Sequence, residues 1–202
     1  MDFSDFVNSL FPNPEDCRRK ARELRESYPD LTEDQLVDRA ITTARRWGAA
    51  FGAGSGVASN PMTMIPAAMA DMALTMSAEA RLVGVIGAIL DSSSLNDHDG
   101  FRGDIAAVMF PNAVSQALRE AAVQAGKATT KTLIRKHISK ELLKTIIAFA
   151  AKYLGVKVTQ RAIIAKTVPL IGSAIGAGWN WVDVERCGRR AVKFYREAEQ
   201  NS

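Results

Sequence analysis

Two acidic side chains, Asp71 and Glu79, interrupt an otherwise apolar stretch of the sequence and lie two helical turns apart. Two carboxylates at that spacing share one helix face, where they could act as an acid–base pair or bind a metal ion. The two histidines, His98 and His137, lie in distant, charged surroundings. Ion pairing with the basic C-terminal part of the chain is the simpler interpretation. We therefore expect no catalytic residue, no metal and no cofactor, and a protein that is not an enzyme.

The sequence also gives little support for a nucleotide-binding site or a reactive cysteine. The run from Gly52 to Gly56 is not followed by a lysine, and neither GxxxxGK[ST] nor GxGxxG occurs, which argues against a nucleotide site. Cys17 and Cys187 stand alone, without the CxxC spacing of redox or zinc sites. We expect both cysteines to be reduced and structural.

A binding surface is better supported than a catalytic one. Polar residues that include Asp71 and Thr75 run beside a row of methionines that includes Met72. Methionine is flexible and polarizable, so alanines and methionines together form a lining that adapts to an apolar ligand. We predict that Met72 and Thr75 line such a site.

A second candidate surface is basic. Residues 127–166 carry ten lysines or arginines against the single acid Glu141. On a helical projection, four lysines fall on one side, and apolar side chains such as Ile146 and Tyr153 fall on the opposite side. We expect this lysine face to bind an anionic membrane surface through Lys136, Lys140, Lys144 and Lys152. A solvated lysine face is the simpler alternative. No helix-turn-helix, zinc ligand set or aromatic-interleaved motif accompanies it, so nucleic-acid binding is not expected. Lys131 and Arg135 do not fit this face, which predicts a break near residues 128–133.

The elements that carry these residues are predicted to be helices throughout. No segment sustains the alternation of a strand. Asn13-Pro14 begins a helix that ends near Ser27, and the capping box from Thr32 to Gln35 begins a second. Further helices are expected over residues 62–90, over residues 101–126 with an interruption at Pro111, and from Pro169 to about residue 197. Residues 91–100 are predicted to form a loop.

Two sets of glycines spaced four residues apart predict close helix packing in the centre of this all-α bundle: Gly48, Gly52 and Gly56, and Gly172 and Gly176. Asn180 continues the second row by one turn. Its amide could bond to a neighbouring backbone, which is the structural interpretation, or face a ligand. The predicted architecture is thus a compact multi-helix bundle with close-packed Gly/Ala-rich central helices.

Residues 47–70 carry no charge and are long enough to cross a membrane. Several polar residues and Asn60-Pro61 interrupt this stretch, so we favour two helices that meet there. Residues 127–202 carry fifteen basic and five acidic side chains, net +10, whereas the preceding residues are net −6. This asymmetry suits an anionic surface or mutual neutralisation of two parts of the fold. The first eleven residues do not have the form of a signal peptide, which indicates a cytoplasmic protein, in part peripheral to membranes.

Two motifs resemble the EcsC family over about residues 45–196. The first runs from Pro61 through Pro66 to Asp71 after a glycine-rich helix, and the second is the series from Pro169 to Asn180 with its spaced glycines. The resemblance implies a helical domain over residues 47–202, preceded by a charged helical extension over residues 1–46. It implies association with membranes or apolar molecules and no established catalytic residue. It also implies a functional core at Pro66, Asp71, Gly172, Gly176 and Asn180.

The leading functional hypothesis is a non-enzymatic protein that binds a lipid or other apolar small molecule, docks on an anionic membrane surface, or does both. The alternative is a protein-interaction or self-assembly module in which the glycine faces form a homo-oligomer or bind a partner. If the central helices meet, Asp71 and Asn180 are predicted to lie in one neighbourhood.

Overall fold

A computed structural model describes residues 3–55, 61–121, 130–167 and 172–197. These residues form nine α-helices and one short 3-10 helix, Ser92–Leu95, and they include no strand. The α-helices are α1 (Phe3–Ser9), α2 (Pro14–Ser27), α3 (Glu33–Ser55), α4 (Pro61–Leu90), α5 (His98–Met109), α6 (Pro111–Glu120), α7 (Thr130–His137), α8 (Lys140–Thr167) and α9 (Gly172–Arg196). The predicted all-α class is confirmed.

The two helix starts predicted from capping residues are confirmed in atomic detail. The side chain of Asn13 accepts a hydrogen bond of 2.9 Å from the backbone N–H of Glu15, and Pro14 is the first residue of α2. Before α3, the backbone N–H of Thr32 donates to Gln35 Oε1 at 2.9 Å, and the backbone N–H of Gln35 donates to Thr32 Oγ1 at 3.4 Å. These bonds satisfy amide groups that a helix cannot pair internally.

The centre of the fold is the packing of α3, α4 and α9, where glycines permit close approach. A Cβ atom added at Gly48 of α3 would lie 3.0 Å from Val184 Cγ2 and 3.5 Å from the carbonyl oxygen of Asn180. A Cβ atom at Gly188 of α9 would lie 2.7 Å from Ile41 Cγ1. Because residue numbers rise along α3 as they fall along α9, these two helices run antiparallel.

Apolar side chains form two clusters. The main core lies among α2, α3, α4, α5 and α9, with contributions from α6, α7 and α8. The second core is smaller and joins α1 and α4 to α6 and α8. It comprises Val7, Leu10, Met72, Met76, Phe110, Ala113, Leu143, Ile147, Ala150, Ala151 and Leu154. One main core with a smaller satellite cluster is usual in folded domains.

The proposed division at residues 46 and 47 lies inside α3. Cys17, Ala21, Leu36 and Ile41 precede it and belong to the main core together with residues of α4 and α9. The described helices before residue 47 therefore share their apolar cores with the rest of the chain.

The segment expected to be a loop over residues 91–100 is more ordered than predicted. It contains the 3-10 helix, and α5 begins at His98. The carboxylate of Asp97 caps α5 by accepting bonds from the backbone N–H groups of Asp99, at 3.2 Å, and Gly100, at 3.0 Å. The predicted loop was wrong because these polar residues are helix caps.

The basic region divides at Ile138 and Ser139, between α7 and α8. The expected break near residues 128–133 falls partly outside the described residues, since α7 begins at Thr130. Lys136 therefore lies on a different helix from Lys140. The expected interruption at Pro111 is confirmed, because α5 ends at Met109 and α6 begins at Pro111.

One segment of the described chain, Met72–Leu90 in α4, is long and apolar enough to cross a membrane. Within the bundle, 61% of it is buried by protein, as is usual for the central helix of a folded core. The uncharged stretch over residues 47–70 lies partly outside the described residues.

Two glycine substitutions should change stability in opposite directions. A Cβ atom at Gly87 of α4 would lie 2.7 Å from Tyr195 Cζ, so the buried Tyr195 ring or the helix would have to shift. Gly87→Ala should therefore lower the free energy of unfolding by about 1–3 kcal/mol. Gly178 of α9 is exposed and has open space at its Cβ position, so Gly178→Ala should raise it by about 0.5–1 kcal/mol. Urea unfolding monitored by circular dichroism measures both, and equal effects would contradict the packing described for Gly87.

Candidate functional site

A groove of about 230 Å³ opens among α4, α8, α9 and the junction between α5 and α6. Its floor is apolar and continuous with the second core, since four of its residues belong to that cluster. The floor consists of Met72, Met76, Met109, Phe110 and Leu154. Three methionines among five floor residues give a surface that can change shape at low cost.

The rim of the groove is polar and charged. Glu79 of α4 faces a row on α9 that consists of Asp183, Arg186 and Arg190, and Tyr153 of α8 completes the rim. The α9 row has spacings of three and four residues, which place its members on one helix face. The groove therefore combines an apolar floor with a charged edge, the arrangement that suits an amphipathic ligand.

Thr75 lies beside the floor and brings to the groove a buried hydroxyl group without a hydrogen-bond partner among the described residues. It is 3% exposed, it lines the groove, and its Oγ1 atom has no hydrogen-bond partner among the described residues. A buried hydroxyl without a partner costs about 1–3 kcal/mol, and buried polar groups in folded proteins normally find partners. The Thr75 hydroxyl thus has hydrogen-bonding capacity that no described residue uses.

The structure brings Met72 and Thr75 together in this groove, as predicted for a shared lining. Asn180 lies elsewhere: it is 1% exposed, and its Nδ2 atom donates to the carbonyl oxygen of Gly48 at 3.3 Å. The predicted hydrogen bond from the Asn180 amide to a neighbouring backbone is therefore present, and it joins α9 to α3. The surroundings of the other predicted functional residues lie outside the described part of the chain: Pro66, Asp71, Gly172 and Gly176, together with the glycines Gly52 and Gly56. The predicted proximity of Asp71 and Asn180 is for that reason still a prediction.

The four lysines of the predicted basic face are all exposed: Lys136, Lys140, Lys144 and Lys152. The apolar side chains opposite them, such as Ile134 and Ile146, are fully buried in the main core. Tyr153, which shares that side of the helical projection, is 56% exposed and lies at the rim of the groove.

A buried ionic cluster lies at the other end of α4. Lys131 of α7 is 2% exposed, and its Nζ atom donates to Asp91 Oδ2 at 2.8 Å and to the carbonyl oxygen of Tyr195 at 3.3 Å. Arg135, one turn further along α7, also donates to Asp91 Oδ2, at 2.9 Å, and lies 3.5 Å from Asp104 Oδ2. The misfit of Lys131 and Arg135 to the lysine face is explained, because both side chains pair with carboxylates on other elements of the fold.

The two carboxylates of this ionic cluster have opposite electrostatic environments. The pKa of Asp91 lies well below its usual range because hydrogen bonds from Lys131 and Ser93, together with the charge of Arg135, outweigh the burial of this carboxylate. Asp104 is fully buried, and neither of its carboxylate oxygens has a hydrogen-bond partner among the described residues. Burial raises the pKa of Asp104 to about 7, against the opposing charges of Arg135 and Lys131.

Neither cysteine has the surroundings of a nucleophile. Burial raises the pKa of the Cys17 thiol to about 12 and holds the pKa of the Cys187 thiol still further above its usual range. The thiolate is the reactive form, so both side chains are inert apolar groups in this fold. Within the described ranges, no group of three or more histidine, cysteine or acidic side chains is placed to hold a metal ion.

Residues on several helices that the sequence did not single out complete these sites. The spacing of Asp183, Arg186 and Arg190 in the sequence indicates that the three side chains share one face of α9. The spacing does not indicate which other helix that face packs beside. Asp104 also has a signal, since it is an acid directly before the apolar run Ile105–Met109. Aspartate is rarely buried completely, so this signal alone did not indicate that Asp104 lies in the core.

The comparisons with known proteins found no match: no family model, no curated protein and no solved structure is similar to this chain. The resemblance to the EcsC family rests on the two sequence motifs and stays a prediction.

Proposed function

We propose that this protein is a non-enzymatic binding protein that takes an apolar or amphipathic small molecule, such as a single-chain lipid, in the groove among α4, α8 and α9. The observation that carries the proposal is the buried Thr75 hydroxyl, which lacks a partner among the described residues and lines a methionine-rich floor. A ligand with an apolar chain and one polar atom would satisfy both features at once.

The size of the groove limits the ligand. About 230 Å³ is smaller than the roughly 300–1,000 Å³ of typical small-molecule sites. The groove therefore suits a small amphiphile or one end of a longer chain. An apolar ligand agrees with what the EcsC resemblance implies, and a cytoplasmic protein that exchanges ligand with membranes is part of the same proposal.

The groove is a stronger basis for function than either alternative surface. The apolar side chains of α7 and α8 opposite the lysines are used by the core, so docking through that face on an anionic membrane would depend on electrostatics alone. The face of α3 at Gly48 is already packed against α9 of the same chain. A second chain could not use that position without separating the two helices.

The test is a titration of the protein with 1-octanol and with octanoate, followed through the methyl signals of ¹³C-labelled methionines. Met72, Met76 and Met109 should show shifts that saturate, because their methyl groups lie at the floor. If neither 1-octanol nor octanoate produces a saturating shift of these methyl signals, the proposal is overturned.

Thr75→Val separates a ligand role from a structural one. Removing the hydroxyl should raise the stability of the ligand-free protein by about 1 kcal/mol, because a buried polar group without a partner is lost. The same change should weaken octanoate binding roughly 2- to 10-fold, the value of one hydrogen bond. Thr145→Val is the matched control, since Thr145 of α8 donates to the carbonyl oxygen of Glu141 at 3.1 Å and lies outside the groove lining. A stability loss at Thr75 with unchanged binding would contradict the role given to its hydroxyl.

A further inference from the structure

The charged side chains at the rim of the groove differ in whether they have interaction partners. Glu79 and Asp183 are each already in contact with a partner. Arg186 and Arg190 differ, because neither guanidinium has an ion-pair partner among the residues that the structure describes. The rim therefore offers two guanidinium groups that form no ion pair with a described residue, beside two acids that already have partners.

The two arginines are placed to act together. They lie four residues apart on α9, so their side chains leave the same helix face one turn from each other. Both arginines line the groove, and the groove floor includes the buried side chains of Met76 and Leu154. A guanidinium presents several N–H donors in a plane, and it pairs with carboxylate or phosphate oxygens more strongly than with neutral groups.

We propose that the groove takes a single-chain anionic amphiphile, whose acidic head is held by Arg186 and Arg190 and whose chain covers the methionine floor. This proposal rests on ligand binding in the groove and adds the chemical class of the ligand. The shared chemistry is an apolar chain that ends in a carboxylate or a phosphate. Thr75 then bonds to a polar atom near the head, where the floor meets the rim.

The experiment compares four probes by isothermal titration calorimetry at pH 7 and low salt: octanoate, octyl phosphate, 1-octanol and inorganic phosphate. The two anionic amphiphiles should bind at least tenfold more tightly than 1-octanol, and inorganic phosphate should not bind in the same concentration range. Raising the salt concentration should reduce this preference. The ratio between octanoate and octyl phosphate then distinguishes a fatty carboxylate from a phosphate head.

Variants assign the preference to the two arginines. In the double variant Arg186→Gln/Arg190→Gln, both anionic amphiphiles should bind within twofold of 1-octanol, while 1-octanol itself binds as before. Arg119→Gln is the matched control, because Arg119 is exposed on α6, away from the groove, and loses the same charge. That control should retain the tenfold preference.

The outcomes separate this inference from the proposed function. Equal binding of octanoate and 1-octanol by the wild-type protein overturns the inference and leaves ligand binding intact. A preference that survives in the double variant also overturns it. If inorganic phosphate binds as tightly as octyl phosphate, the groove is an anion site to which the apolar floor contributes nothing. That result would overturn the inference that the ligand is an amphiphile. Failure of all three eight-carbon probes to bind would overturn the proposed function itself.

Discussion

Replacing Lys131 with methionine is expected to lower the free energy of unfolding by about 3–5 kcal/mol, because it removes a buried cation that bonds to Asp91 and also opposes the charge of Asp104. The ammonium group is 2% exposed, bonds to Asp91 Oδ2 at 2.8 Å, and lies 5.0 Å from the centre of the Tyr195 ring. Methionine can fill the same volume, so the loss reports the charge and its hydrogen bonds rather than a cavity. Urea unfolding at pH 7 measures the change.

The control for this variant lies on the same helix. Lys136 of α7 is exposed, and Lys136→Met should change the free energy of unfolding by less than about 0.5 kcal/mol. The double variant Lys131→Met/Asp104→Asn should recover at least about 1 kcal/mol, because one of the carboxylates left behind is then uncharged. Equal losses for the two lysine variants would show that the ionic cluster is not a stabilising feature of the fold.

The local part of the fold could be predicted from the sequence. Helix starts at Asn13 and Thr32 depend on side chains that bond to the backbone two or three residues away, so the information lies within one turn. The interruption at Pro111 is local for the same reason, since proline lacks the amide hydrogen that a continuing helix needs. Asp97 carries the same kind of local signal, and its cap turns part of the expected loop into the start of α5.

Which helices meet, and through which residues, is not local. Glycine spacing predicted close packing at Gly48, and the structure shows it, but the tightest contacts also involve Gly84, Gly87 and Gly188. A glycine is required there because of a ring or thiol on another helix, such as the Cys17 sulfur 2.6 Å from a Cβ atom at Gly84. No spacing rule within one helix contains that information.

The candidate site divides in the same way. Met72 and Thr75 were found because a helical row of methionines beside a polar row is visible in one segment. Arg186 and Arg190 were not assigned to the site, since only the packing of α9 beside α4 brings them to its rim. Lys131 was noticed only as a misfit to the lysine face, and the reason for the misfit is its partner Asp91, forty residues earlier in the chain.

The contribution of Asp104 to the stability of the protein is expected to fall as the pH rises from about 4 to about 7. Its pKa is raised to about 7 in the folded protein from an ordinary value of 3.8. Between these values the folded state retains a proton that the unfolded state has lost, so rising pH favours unfolding. The contribution is fully present below the unfolded pKa and is lost as the pH passes the folded one. A shift of this size corresponds to a change on the order of 2–4 kcal/mol.

Asp91 acts in the opposite direction and in a different range. Its lowered pKa stabilises the fold above about pH 4, the unfolded value, and that stabilisation is lost as the pH falls below it. The two carboxylates, which share Lys131 and Arg135, therefore give the ionic cluster its greatest stabilising effect near pH 4–5. A structural buried carboxylate of ordinary pKa would give no such maximum.

Asp104→Asn should remove the decline in stability between pH 5 and pH 8 and make the variant more stable than the wild-type protein at pH 8. The amide cannot ionise, so folding at high pH no longer places a second negative charge beside Asp91. Asp30→Asn is the control, because Asp30 is exposed between α2 and α3 and should leave the decline unchanged. Urea unfolding across this range measures the difference between each variant and the wild-type protein. An Asn variant that keeps the wild-type slope would show that Asp104 is already ionised at pH 5. Arg135 would then be its true ion-pair partner.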